Sequence, residues 1–116
     1  MLVRIVEDTA AIAIWLADAL ALHDEPVETV TTTAEFGRLL RPEPWEGVDV
    51  ALVDVMLPEV SGIAIIQYLV AHHSHIRTIC MTASLPSADE ATGLADRVLV
   101  KPFSMTELLT AIGLPA

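Results

Sequence analysis

Ten short segments alternate in kind along the chain, and no other feature constrains its fold as strongly. LVRIV, VETVT, VALVD, IRTICMT and RVLV are β-rich runs. A stretch of helical character follows each: Thr9 to His23, Thr32 to Leu40, Ser61 to His73, a weak one from Ser87 to Gly93, and Ser104 to Ile112. Five βα units in succession predict an α/β domain built on a doubly wound parallel sheet. Three patterns of Ser or Thr with Glu three residues later are expected helix starts: Thr32 with Glu35, Ser87 with Glu90, and Ser104 with Glu107. In such a box the hydroxyl and the carboxylate each satisfy a free backbone amide. The stretch RPEPWEG reads as a surface loop between the second helix and the third strand, with Trp45 anchoring it against the sheet edge.

Composition narrows the classes of partner. The 116 residues suit one domain, residues 1–116, and at 53% hydrophobic with a mean hydropathy of +0.57 the chain can fill a core. The single cysteine, Cys80, excludes an internal disulfide, fits a reducing compartment and reads as core packing. A net charge of −10 with six Lys and Arg argues against nucleic-acid binding, which needs a basic stripe. The apolar run from Ala10 to Leu22 follows Glu7 and Asp8, is cut by Asp18, and is too short to cross a bilayer. A soluble cytoplasmic protein with no membrane association is therefore expected.

Chemistry enters with VDVALVDVMLPEVSG, from Val48 to Gly62, where a strand-like run ends in Asp54. A buried carboxylate costs free energy unless a cation or a donor meets it. Open parallel sheets bind ligands beyond the carboxyl ends of their strands. Polar residues gather at those ends: Glu7 and Asp8 after the first strand, Asp54 after the third, Thr82 after the fourth and Lys101 after the fifth. Taken singly, a strand-end Asp is usually a cap or turn residue, Lys-Pro a loop, and Thr82 an ordinary strand residue. Their joint placement points to one site. His72, His73 and His75 lack the i, i+4 spacing of helix-borne metal ligands and instead complement the dipole at a helix end.

With VRIVEDT, VALVDVMLPEVSG, CMTAS and VLVKPF in this order, the chain resembles the CheY-like receiver domain of two-component response regulators over essentially its whole length. The resemblance implies a flavodoxin-like five-stranded parallel sheet, order 2-1-3-4-5, with five helices. Asp54 would be the phosphoacceptor, served by a histidine kinase, a histidine phosphotransfer domain or a small donor such as acetyl phosphate. Mg²⁺ would be held by Asp8, Asp54 and the backbone carbonyl of Met56, with Glu7 acting through water. Lys101 would neutralise the phosphoryl oxygens, and Thr82 would donate to another of them and start a conformational switch. The Lys101–Pro102 bond is expected cis. Such a domain signals by modifying itself and is not a turnover enzyme.

Several residues depart from the family pattern. Val98 stands three positions before Lys101, where receivers usually carry an aromatic residue that reports phosphorylation. The segment between Thr82 and Lys101 is short, so the fourth helix is expected to be cut to a turn or two or to be poorly ordered. On the first helix, Ile12, Trp15, Leu16, Ala19 and Leu20 are expected to face the sheet. Ala10, Ile14, Ala17 and Ala21 would form an outer apolar stripe for a partner helix or a second copy of the chain. With no output domain expected after the fifth helix, the chain reads as a single-domain regulator or as the receiver portion of a longer hybrid kinase or regulator, and Met1 directly ahead of the first strand slightly favours the former or an N-terminal fragment. The alternative reading is a degenerate receiver acting as a phosphorylation-independent interaction module. A third, an independent phosphatase using an aspartyl phosphate, lacks a second general acid beside Asp54.

Overall fold

Alternate side chains of β1 (Leu2–Val6) leave the sheet on opposite sides: Val3 and Ile5 enter one apolar layer, while Leu2 and Val6 enter the other. The same period of two divides β3 (Val50–Asp54), with Val50 and Leu52 on one side and Ala51 and Val53 on the other. In the computed structural model, which describes residues 1–115, β2 (Glu28–Thr32), β4 (Arg77–Thr82) and β5 (Arg97–Val100) complete a parallel sheet. Its order is β2-β1-β3-β4-β5, as expected. The central strand β3 is buried at every position, which explains its unbroken apolar run. The helices α1 (Ala10–Ala21) and α4 (Met105–Ile112) cover one face. On the other lie α2 (Gly62–His72) and α3 (Leu85–Ala91).

The described residues thus contain four α-helices, one fewer than expected. The segment read as the second helix contributes Thr32 to β2 and then forms only a 3-10 turn, Phe36–Leu40, followed by another at Glu43–Trp45. Thr31 and Thr32 are β-branched and extend the strand, Glu35 adopts a left-handed φ of 55°, and Pro42 and Pro44 prevent a longer helix. The Thr32–Glu35 box is therefore absent. Phe36, Leu39 and Trp45 still seal this side of the sheet, and the Trp45 indole donates to the carbonyl of Leu39 at 2.8 Å. Its role as loop anchor holds.

The fourth expected helix is cut to about two turns, as expected, but it begins earlier than Ser87. The hydroxyl of Ser84 accepts from the Ser87 amide at 3.4 Å, which makes Ser84 the cap and places Pro86 in the first turn. Only the Ser104–Glu107 box forms with both of its bonds, at 3.1 and 3.2 Å.

The first helix keeps most of the expected phase, with Ile12, Leu16, Ala19 and Leu20 buried or half-buried and Ala10, Ile14 and Ala21 exposed; Ala17 and Trp15 are the exceptions. Ala13, Leu16 and Leu20 are buried in the core, and Ala17 is half-buried against it. Trp15, expected on the sheet face, is 51% exposed beside Ile14 at 58%. The sequence AAIAIWLADALA is apolar almost all round, so its periodicity carries little phase information. None of the helices in the described residues is long and apolar enough to cross a membrane.

Candidate functional site

Four strand ends bring the polar residues together at the carboxyl edge of the sheet. Glu7 continues directly from β1 and is held there by a bond from its amide to the carbonyl of Thr32 at 3.1 Å. Asp54 and Thr82 are the last residues of β3 and β4, and Lys101 follows β5. Glu7 and Asp54 are only 1% and 5% exposed, and Thr82 is fully buried, while Asp8 faces solvent. Carboxylate oxygens of Glu7, Asp8 and Asp54 lie within 4.8 Å of one another, the only cluster of three metal-capable side chains among the described residues. His72, His73 and His75 pack around Tyr68 or one another as rings and form no such cluster.

Lys101 is the cation that meets the buried carboxylates. Its Nζ donates to Glu7 Oε2 and to Asp54 Oδ2, each at 3.0 Å. The two remaining oxygens are met by backbone: the Thr9 amide donates to Glu7 Oε1 at 3.2 Å and the Met56 amide to Asp54 Oδ1 at 3.1 Å. The Lys101–Pro102 bond is cis, as expected, and the Lys101 amide donates to the carbonyl of Thr82 at 2.8 Å.

This arrangement sets the ionisation of the site. Burial, with the neighbouring Asp54 adding to it, pushes the Glu7 carboxyl above its usual value, against the pull of Lys101 and the Thr9 amide. Burial by itself would lower the Lys101 ammonium, but its bonds to Glu7 and Asp54 outweigh that and hold it above the usual lysine value. Cys80, buried at mid-strand, has its thiol pushed up to about 11, by burial first and then by Asp54. It is an inert core residue, as expected.

Two residues that sequence reasoning passed over complete the site. The Thr82 hydroxyl is engaged by Ser84: it accepts from the Ser84 amide at 3.0 Å and donates to the Ser84 carbonyl at 3.4 Å. Gly62 packs directly against the peptide that follows Asp54. The signal for Gly62 was its place in VMLPEVSG, and that for Ser84 its place at the end of CMTAS. Chemically, the site offers a buried carboxylate at the sheet edge, an ammonium bonded to it, a third carboxylate in solvent beside it, and a nearby hydroxyl. Three carboxylates against one lysine leave an excess of negative charge that suits a hard cation with oxygen ligands.

Comparison with known proteins agrees with this geometry. The family model for the response regulator receiver domain matches residues 3–113. The transcriptional regulatory protein GltR of Pseudomonas aeruginosa is 35% identical over 118 residues, covering 95% of this chain and 46% of that protein. The sensory transduction protein RegX3 of Mycobacterium tuberculosis is 36% identical over 121 residues, covering 95% of this chain and 48% of that protein. The chain thus spans about half the length of these curated relatives. Among solved structures, a response regulator receiver domain protein from Clostridium thermocellum superposes with a TM-score of 0.83 at 23% identity, covering 97% of this chain and 90% of that one. TrrA of Thermotoga maritima, solved in complex with Mg(2+)-BeF, has a TM-score of 0.81 at 22% identity, covering 97% and 96%. With strand order, acidic cluster and sequence relatives in agreement, the chain belongs to the family of response regulator receiver domains.

Proposed function

We propose that Asp54 accepts a phosphoryl group from a histidine kinase, a histidine phosphotransfer domain or a small donor such as acetyl phosphate. The observation that carries this reading is the buried strand-end carboxylate bonded to Lys101 inside the cluster with Glu7 and Asp8. A carboxylate oxygen of Asp54 forms the new P–O bond while the donor's bond from phosphorus to histidine nitrogen or acetate oxygen breaks. The protein's part is positioning and charge neutralisation. Lys101 is already within reach of the oxygens that become negative. Asp8 and Asp54, with the Met56 carbonyl and Glu7 through water, would hold Mg²⁺. When bound, the cation supplies charge neutralisation for the incoming phosphate. The domain acts as a switch that modifies itself and not as a turnover enzyme.

The switch starts at Thr82. For its hydroxyl to donate to the phosphoryl group it must give up the bond it donates to the Ser84 carbonyl, and Ser84 also caps α3. Val98, half-buried on the same face, provides no aromatic ring to rotate. The movement therefore passes to the loop around Ser84 and to the start of α3, where Leu85 is exposed.

The test is Mg²⁺ dependence. Millimolar Mg²⁺ should raise the melting temperature of the wild type and be required for acetyl phosphate labelling, because a cation bound only by the native cluster stabilises it by mass action. Asp8→Asn should lose most of both responses. An unmoved wild-type midpoint, or equal shifts in the two proteins, would refute the metal site.

The partner surface follows from α1, with one correction to the sequence reading. Ala17 is half-buried against the core, so the exposed apolar surface is the rest of the expected stripe, Ala10, Ile14 and Ala21, joined by Trp15 and Leu22. Trp15 borders two apolar depressions, one shared with Met105 and Leu109, the other with Pro102 and Phe103 beside Lys101. A kinase or phosphotransfer helix seated on Trp15 would thus lie next to the acceptor. Trp15→Glu should slow kinase-dependent phosphorylation at least about tenfold, as loss of a buried aromatic anchor does. Labelling by acetyl phosphate should not change. If kinase transfer is unaffected while charges placed along α4 weaken it, the contact lies on the other helix.

A further inference from the structure

The residue that opens α2 touches the peptide bond following the acceptor. A β-carbon built on Gly62 would lie 2.0 Å from the carbonyl oxygen of Asp54, 2.7 Å from its carbonyl carbon and 2.8 Å from Cα of Val55. All three are backbone atoms, so no side-chain rotation relieves the contact. Gly62 has no left-handed φ; it is helical, and what it needs is space. Carbon atoms pack at about 3.5–4 Å, so any side chain here forces the helix or the peptide to retreat by more than about 1 Å.

The surrounding bonds define what would be displaced. The Gly62 amide donates to the carbonyl of Val55 at 3.0 Å, and the Val55 amide donates across the sheet to Met81 at 3.0 Å. Directly above, the Met56 amide donates to Asp54 Oδ1 at 3.1 Å. The Asp54–Val55 peptide is thus clamped between the start of α2 and β4, and the carboxylate and the loop that steadies it both spring from this peptide. A carboxylate attacking in line must be aimed, and a misplacement of about 1 Å can cost on the order of 100-fold in rate.

We propose that Gly62 is a positioning residue for phosphoryl acceptance: its missing side chain lets α2 seat against the Asp54–Val55 peptide and so aims the Asp54 carboxylate. The proposal rests on Asp54 being the phosphoacceptor. It separates two roles that one glycine could have, stabilising the helix start and directing the nucleophile.

Two control variants make that separation measurable. Ser61→Ala removes the cap bond from the Ile63 amide, 3.1 Å long, and weakens the same helix start without pressing on the peptide. Gly37→Ala places a β-carbon where nothing lies within 4 Å. All variants are labelled with acetyl phosphate and Mg²⁺ at temperatures where circular dichroism shows them folded. Gly62→Ala should lower the maximal labelling rate at least tenfold with the half-saturating donor concentration unchanged, while Ser61→Ala and Gly37→Ala label like the wild type. A wild-type rate for Gly62→Ala, or equal slowing in Ser61→Ala, overturns the proposal. If Gly62→Ala does not fold, amide NMR of the wild type decides. The Gly62 resonance should move when Asp54 is labelled while that of Gly37 stays; an unmoved Gly62 resonance overturns it. A wild type that takes no label at all removes the reading of Asp54 and this proposal with it, whereas a labelled wild type with an unaffected Gly62→Ala defeats the proposal alone.

Discussion

Asp54→Asn should take up no phosphoryl group from acetyl phosphate under conditions that label the wild type, and it should keep the wild-type circular dichroism spectrum. The loss is complete because an amide cannot act as the nucleophile. The fold survives for reasons local to the site. The side-chain oxygen of asparagine can still accept from the Met56 amide, which now donates to Asp54 Oδ1, and Lys101 keeps its bond to Glu7. Removing one of three crowded carboxylates also relieves their repulsion, so the variant should melt no lower than the metal-free wild type. Intact-mass measurement checks the first expectation and thermal unfolding the second. Label persisting in Asp54→Asn would mean a different acceptor. A wild type that never labels would favour the alternative of a phosphorylation-independent interaction module.

Lys101→Ala should have the second large effect, and that effect should depend on pH. In the metal-free protein this substitution leaves two buried carboxylates facing each other without the ammonium that bridges them at 3.0 Å. Breaking a buried pair from one side costs about 3 kcal/mol, the lower end of the usual range being apt because Lys101 is partly exposed. The wild-type pH dependence has a definite sign. Glu7 holds its proton more tightly in the folded chain than in the unfolded one, chiefly through burial. Its contribution to stability is therefore present below the ordinary glutamate value of 4.5 and is lost as the pH rises from there through the raised folded value. Lys101, raised as well, keeps its contribution up to the lysine range and loses it only as the pH climbs through its own raised value.

The cost of Lys101→Ala should accordingly be smallest near pH 4.5, where Glu7 can stay neutral, and larger at neutral pH. Glu7→Gln should flatten the wild-type decline above pH 4.5. Urea unfolding at several pH values without divalent cations measures both, and Mg²⁺ should restore part of the stability that Lys101→Ala loses. Acetyl phosphate labelling of Lys101→Ala should fall by about 100-fold, as when one preorganised donor to a developing oxyanion is removed. Equal destabilisation at acid and neutral pH would show that Lys101 acts through packing and not through its charge.

The parts of this protein that were legible in its sequence are those set by one-dimensional rules. Five apolar runs separated by crossover-length segments specified a parallel sheet, and the position of a charged residue at the end of such a run placed it at the binding edge. Glu7, Asp54, Thr82 and Lys101 could be named for that reason alone. The capping box at Ser104 was legible because both partners lie within one turn, and nothing outside that turn competes for them.

Tertiary structure decided whatever depends on competition or on phase. Thr32 had the hydroxyl for a cap, but pairing with Val6 in the sheet claimed it as a strand residue, and the prolines that follow left only 3-10 turns to cover the Phe36, Leu39 and Trp45 side of the core. Ser84 captured the cap of α3 ahead of Ser87 because its amide was already fastened to Thr82. On α1, an almost wholly apolar sequence fits the sheet in several rotations, and packing against α4 and the strands chose the one that half-buries Ala17 and leaves Trp15 outside. The sequence by itself determined which chemical groups would meet at the sheet edge. Only the packed fold decided how closely α2 approaches Asp54, because that distance is set by backbone-to-backbone contact at Gly62, a quantity to which no side-chain pattern refers.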